Sequence, residues 1–199
     1  MPCNTIQNTK SGKVASSRDY LTGKEVEKLI EAAKDSGRYG QRDALVITML
    51  YRHGLRTKEA IELTWDDVLF DQSRLNVRRA KNGAESVQPI AGDELRQLRV
   101  LKKEAKSPFV FETERGGAMT TRNVRAIVAR AAEQSKMTLD VHAHMLRHSC
   151  GYHLANNATK LNGDSTRVIQ DYLGHKNIQN TRRYTQLRAA KFKGIEKLF

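Results

Sequence analysis

The stretch His144-Met145-Leu146-Arg147-His148-Ser149-Cys150-Gly151 decides how this chain is read. His144 and Arg147 stand one helical turn apart, so on a helix running from about His144 to Asn156 they project from one face. A guanidinium beside an imidazole makes a donor set suited to phosphate oxygens. On the same helix Cys150 reads as a packed core thiol and His148 as a helix-side structural contact. Toward the C-terminus, a helix over Thr166 to Leu173 stops at Gly174, and His175 follows the glycine directly. Tyr184 lies on the next predicted helix, Asn177 to Leu187, and a short tail helix is expected near Ala189 to Leu198.

Toward the N-terminus the periodicity is equally helical. Thr22 and Glu25 have capping-box spacing, Val26, Leu29, Ile30 and Ala33 follow at helical intervals, and Gly37 stops the run. Arg42 to His53 is apolar almost all round with Gly54 beyond it, which marks a buried central helix. A short helix over Thr57 to Leu63 follows. Arg74 to Ala80 alternates Leu75 and Val77 with polar residues, and Ser86 to Ile90 alternates Val87 and Ile90 less cleanly. With Asn82-Gly83 between them, these segments predict a β-hairpin. Leu95, Leu98 and Leu101 form one helical stripe, and Phe109 to Phe111 a short strand. Val124, Ile127, Val128 and Ala131 form another helix behind Thr120 and Thr121. The predicted fold is mainly α with a small antiparallel β-sheet.

The 199 residues suit one domain of ordinary size. At 39% hydrophobic and 29% charged, the composition excludes collagen-like, low-complexity and wholly disordered classes. Lys and Arg number 35 against 22 Asp and Glu, a net charge of +13. That surplus favours a polyanion, nucleic acid ahead of an anionic membrane surface, because each neutralised phosphate releases condensed counterions. The greasiest run, Ala44 to Tyr51, is far too short to span a membrane. Met1 to Ser17 has no apolar stretch and reads as a flexible arm rather than a secretory leader, so a cytoplasmic protein is expected. Cys3 and Cys150 are expected as free thiols.

Four local signals remain: Gly54-Leu55-Arg56-Thr57-Lys58-Glu59; Lys81-Asn82-Gly83; His144 to His148; and Leu173-Gly174-His175 with Tyr184 behind it. In this order and at these spacings the chain resembles the tyrosine recombinase, or phage integrase, family. The runs His144 to Gly151 and Ile169 to His175 look most like the short fimbrial phase-variation invertases. The likeness covers about Asp19 to Leu198. It implies the catalytic-domain fold of the DNA breaking-rejoining enzymes over residues 18–199, behind the arm at 1–17, with no room for the core-binding domain of larger relatives. It also implies site-specific integration or inversion of DNA through a 3′-phosphotyrosyl intermediate, with no metal, ATP or other cofactor. The implied partners are double-stranded DNA at specific recombination sites, a homotetramer on DNA from chains that are monomeric when free, and DNA-bending accessory proteins, with no membrane.

The residues suit that chemistry. Pentavalent phosphorus concentrates negative charge on its non-bridging oxygens, and preorganised cations aimed there are the largest aid available without a metal. Arg56 and Arg147 are the expected guanidinium forks, since arginine binds phosphate in a plane and keeps its proton. His144 is placed to donate to the same phosphate or to act as acid or base. His175, behind a glycine that removes steric bulk, supplies another phosphate hydrogen bond. Lys81 sits at the hairpin tip, and in the family the hairpin lysine protonates the departing 5′ oxygen. Tyr184 is the expected nucleophile; a phenol needs neighbouring positive charge to react near neutral pH, and Arg147, His175 and Arg56 would supply it. Its neighbours Arg182, Arg183, Thr185 and Gln186 make the setting too polar for a pure core role, whereas Tyr152 and Tyr172 read as packing residues. Glu59 is placed to orient Arg56 through a salt bridge, as an acidic residue does in the family. The interval from His144 to His175 is longer than usual there, and Asn157 to Asp164 reads as a surface-loop insertion.

Other classes fit parts of this pattern. A catalytically inactive DNA-binding accessory or regulatory protein of the same fold would use the positive charge without the chemistry. A metal-dependent nuclease would need His142, His144, His148 and Cys150 as ligands, yet Arg147 among them repels a cation and no second ligand pair follows. Topoisomerase-like relaxation shares the chemistry and differs in its products. The basic stretch from Thr181 to Phe199 is read as DNA contact plus a tail whose Ile195, Leu198 and Phe199 dock on a neighbouring protomer.

Overall fold

A computed structural model describes residues 18–79 and 85–186. In chain order its helices are α1 (Gly23–Lys34), α2 (Gly40–Arg52), α3 (Thr57–Ile61), α4 (Gly92–Lys103), α5 (Thr121–Gln134), α6 (Ala143–Asn156), α7 (Ser165–Leu173) and α8 (Gln179–Gln186). Its strands are β1 (Val68–Leu69), β2 (Arg74–Val77) and β3 (Ser86–Pro89), an antiparallel sheet in the order β1-β2-β3. Every residue of α2 from Asp43 to Leu50 is buried, as a helix apolar on all sides requires, and α1, α4, α5 and α6 pack around it. Asp43 tolerates that position because Arg42 and Arg130 both reach its carboxylate at 2.8 Å. The capping box of Thr22 and Glu25 starts α1, and Thr120 caps α5.

The core divides in two. The larger part gathers α1, α2, α4, α5, the sheet and the first turns of α6. The smaller consists of Cys150, Ala155, Ile169, Leu173 and Tyr184, where α6, α7 and α8 meet. Among the described residues, no helix is long and apolar enough to cross a membrane.

Three expectations change. Phe109 to Phe111 is no strand: Phe109 bridges Thr64 alone and Glu112 bridges Ala118 alone, so the segment meets two neighbours too briefly to form a ladder. In β3 the inward residue is Gln88, opposite Leu75, while Val87 is 54% exposed. Gln88 can be buried because its amide is satisfied, donating from Nε2 to the Tyr172 carbonyl at 2.8 Å and lying 2.8 Å from His53 Nδ1. The strand β1, two residues long, has no counterpart in the sequence reading. Between Asn157 and Asp164 lies a surface segment with one 3-10 turn, Ala158–Lys160, of which Ala158 alone is buried. The hairpin turn with Lys81 and the tail beyond Gln186 lie outside the described residues.

Candidate active site

The site begins at the turn after α2. Gly54 is left-handed, with φ 57°, and a Cβ there would stand 2.5 Å from Leu173 Cδ2, so only glycine lets the turn close against α7. The turn delivers Arg56 to the start of α3. The Arg56 backbone N–H donates to Glu59 Oε2 at 2.9 Å, and its Nη1 donates to Oε1 at 2.6 Å. Both groups of Arg56 thus grip a carboxylate whose side chain is only 1% exposed.

Arg147 reaches the same carboxylate from α6, with Nη1 3.9 Å from Glu59 Oε2. It is 2% exposed and donates to the Gly54 and Leu173 carbonyls, so its fork is fixed by the two turns it joins. Burial, and then the charges of Arg56 and Arg79, pull its pKa down to about 10, which leaves it cationic at neutral pH. The two forks expected to share one phosphate are therefore brought together. Glu59 is paired with Arg56, and its pKa is lowered by backbone and charge contacts with Arg56 and Arg79 that outweigh the desolvation opposing them.

His144 lies on the solvent side of α6, its ring 4.5 Å from that of His148, and partial desolvation, then Arg147, lowers its pKa. His175 follows Gly174, which is left-handed with φ 62°. The space freed by that glycine is taken by Arg79, whose Cγ lies 2.5 Å from where a Cβ would be. His175 Nδ1 lies 2.9 Å from Thr181 Oγ1 on α8, and its ring stacks on Tyr184 with centroids 6.2 Å apart. Burial, then Arg147 and Arg56, push His175 down to about 3.

Tyr184 departs from its expected polar setting. It is 2% exposed and a full member of the smaller core, because residues 181 and 184 share the inward face of α8 while Arg182 and Arg183 face solvent. Its ring lies against α6 at Gly151, where an added Cβ would meet ring carbons at 2.7 Å, and edge-on to Tyr152 at 5.1 Å. Its hydroxyl is 2.8 Å from His148 Nδ1. Burial pushes the phenol up to about 12 despite Arg147 and Arg183, and burial with His144 pushes His148 down to about 4. In the free protein the hydroxyl keeps its proton beside a neutral imidazole.

His148, Arg79, Gly151 and Thr181 were not singled out for the site by the sequence. Of these, only a glycine in mid-helix is a local signal. Cys150 is packed as expected, its thiol donating to the Arg52 carbonyl and its pKa raised by burial to about 12.

Residues 19–191 match the phage integrase family. Type 1 fimbriae regulatory protein FimE of Escherichia coli strain K12 is 38% identical over 187 residues, covering 90% of this chain and 91% of FimE. FimB of the same strain is 33% identical over 184 residues, 89% of each protein. The crystal structure of XerA recombinase superposes with a TM-score of 0.73 at 24% identity, over 90% of this chain and 64% of XerA. The chain thus spans a little under two thirds of XerA, and that likeness concerns the fold.

Proposed function

The chain belongs to the phage integrase family, the tyrosine recombinases, and we propose that it breaks and rejoins DNA at specific sites through a 3′-phosphotyrosyl intermediate, inverting or integrating a segment. The observation that carries this is the meeting of Arg56 and Arg147 on Glu59, with the Tyr184 ring stacked on His175 beside them. The two forks take the non-bridging oxygens, whose charge grows toward the pentavalent state. His175, held at Nδ1 by the Thr181 hydroxyl 2.9 Å away, donates from Nε2 to a phosphate oxygen in this reaction, and His144 donates from α6.

Tyr184 Oη forms the new bond to phosphorus as the bond to the 5′ oxygen breaks. The phenolic proton passes to His148, 2.8 Å away, and the 5′ oxygen takes a proton from Lys81. Without DNA the pKa order leaves the proton on Tyr184. A bound phosphate raises the imidazole's affinity for that proton, so the nucleophile is activated by its own substrate. Rejoining reverses each transfer, and the phosphotyrosyl bond conserves the energy of the broken linkage. Four copies on paired sites, helped by DNA-bending proteins, complete the proposed reaction.

The test is a nicked suicide substrate carrying the target site, incubated in EDTA. A covalent protein–DNA adduct is expected with the unsubstituted chain and none with Tyr184→Phe. Salt-dependent binding indifferent to Tyr184→Phe, with no adduct, would instead establish a DNA-binding regulator without chemistry.

A further inference from the structure

Arg79, just before the hairpin turn, has a side chain 0% exposed, and no step of the proposed reaction uses it. Its Nη1 donates to Glu59 Oε2 at 2.9 Å and to the Gly54 carbonyl at 3.4 Å. Its Nη2 donates to the His53 carbonyl at 3.2 Å and to the Tyr172 carbonyl. Its aliphatic stem fills the notch over Gly174. One side chain therefore touches the turn leading to Arg56, the carboxylate on α3, and the end of α7 that leads to His175.

Charge sharpens the point. Among the described residues three guanidiniums surround Glu59, and two of these are needed by the phosphate. Arg79 and Arg147 are both shut away from solvent, but Arg79 pairs with Glu59 Oε2 at 2.9 Å where Arg147 stands 3.9 Å off, so Arg79 can balance Glu59 permanently and leave the charges of Arg56 and Arg147 for the substrate. We propose that Arg79 is a positioning residue: counter-ion of Glu59 and brace of the Gly174 turn, it holds Arg56, Arg147 and His175 in the register one phosphate requires. This rests on the recombinase reading of the site. Arg79 itself contacts no DNA in this scheme.

The experiment compares Arg79→Met, Arg79→Lys and Gly174→Ala with the unsubstituted chain, and uses Gly163→Ala as a control. Gly163 also has a positive φ, 82°, and nothing within 4 Å of an added Cβ, so it imposes backbone strain without displacing Arg79. At saturating DNA, the first-order rate of adduct formation is expected to fall about 100-fold in Arg79→Met and Gly174→Ala, the effect of a small misplacement at a reacting centre. Arg79→Lys restores part of it, since an ammonium keeps the charge but cannot span all four acceptors. DNA affinity stays at the parental value throughout, and Gly163→Ala cleaves like the parent. In the DNA-free protein, the ring-proton NMR signals of His175 move in the three variants and not in the control. Parental cleavage by Arg79→Met overturns the proposal, as does an equal loss of affinity and rate, which marks a phosphate contact or a general loss of fold. If the unsubstituted chain forms no adduct the recombinase reading fails, and unmoved His175 signals would then also end the role of Arg79.

Discussion

Gly151 occupies the middle of α6, where glycine ordinarily costs about 1 kcal/mol against alanine, yet the Tyr184 ring fills the space it leaves. Gly151→Ala therefore sets a gain in helix propensity against expulsion of the ring. Retained far-UV helicity with adduct formation reduced by about tenfold or more is the expected outcome. The histidines give a second expectation. His148 and His175 titrate at about 4 and about 3, below the usual 6.5, so between these values the unfolded chain binds protons that the folded chain refuses. Their contribution to stability is complete above about pH 6.5 and drains away as the pH falls toward 4 and then 3. Urea unfolding should show stability dropping from pH 7 to pH 5, with a shallower drop in His148→Gln. Arg56, Glu59, Arg147, His175 and Tyr184 were legible because each sits in a short run whose order and spacing carry information. The contacts of His148 with Tyr184 and of Arg79 with Tyr172 join residues far apart in the chain, and no local pattern announces them.

Helix α8 shows how an element places the proposed nucleophile. Thr181 and Tyr184 face inward, and Arg183 ties the solvent side to Asp19 at the chain's entry into α1. Thr181 is fully buried, and its hydroxyl is the partner of His175. Thr181→Val keeps the shape and removes that hydrogen bond, so a loss of about 1 kcal/mol in thermal unfolding is expected, with slower adduct formation and unchanged DNA affinity. Helices α1 and α5 were the most readable because caps and a 3.6-residue period reinforce each other over ten or more residues. The sheet was less so. Alternation over Phe109 to Phe111 is too short to separate a strand from a buried crossing, two residues suffice for β1, and Gln88 takes an inward place that polarity alone would deny it.

At the scale of the whole molecule, the charge of +13 predicts DNA binding that weakens steeply with salt, the logarithm of affinity falling by about 0.9 per phosphate neutralised for each decade of salt. Filter binding from 50 to 200 mM salt measures it, and a flat response would contradict a phosphate-tracking surface. The division of the interior into two clusters has another consequence. Among the described residues, Tyr184 is one of five buried members of the smaller cluster. The proposed nucleophile is thus also masonry, and the wall it belongs to needs its ring more than its oxygen. A descendant that abandoned strand transfer would be expected to keep phenylalanine at this position, so retirement from chemistry would be written as the loss of a single atom.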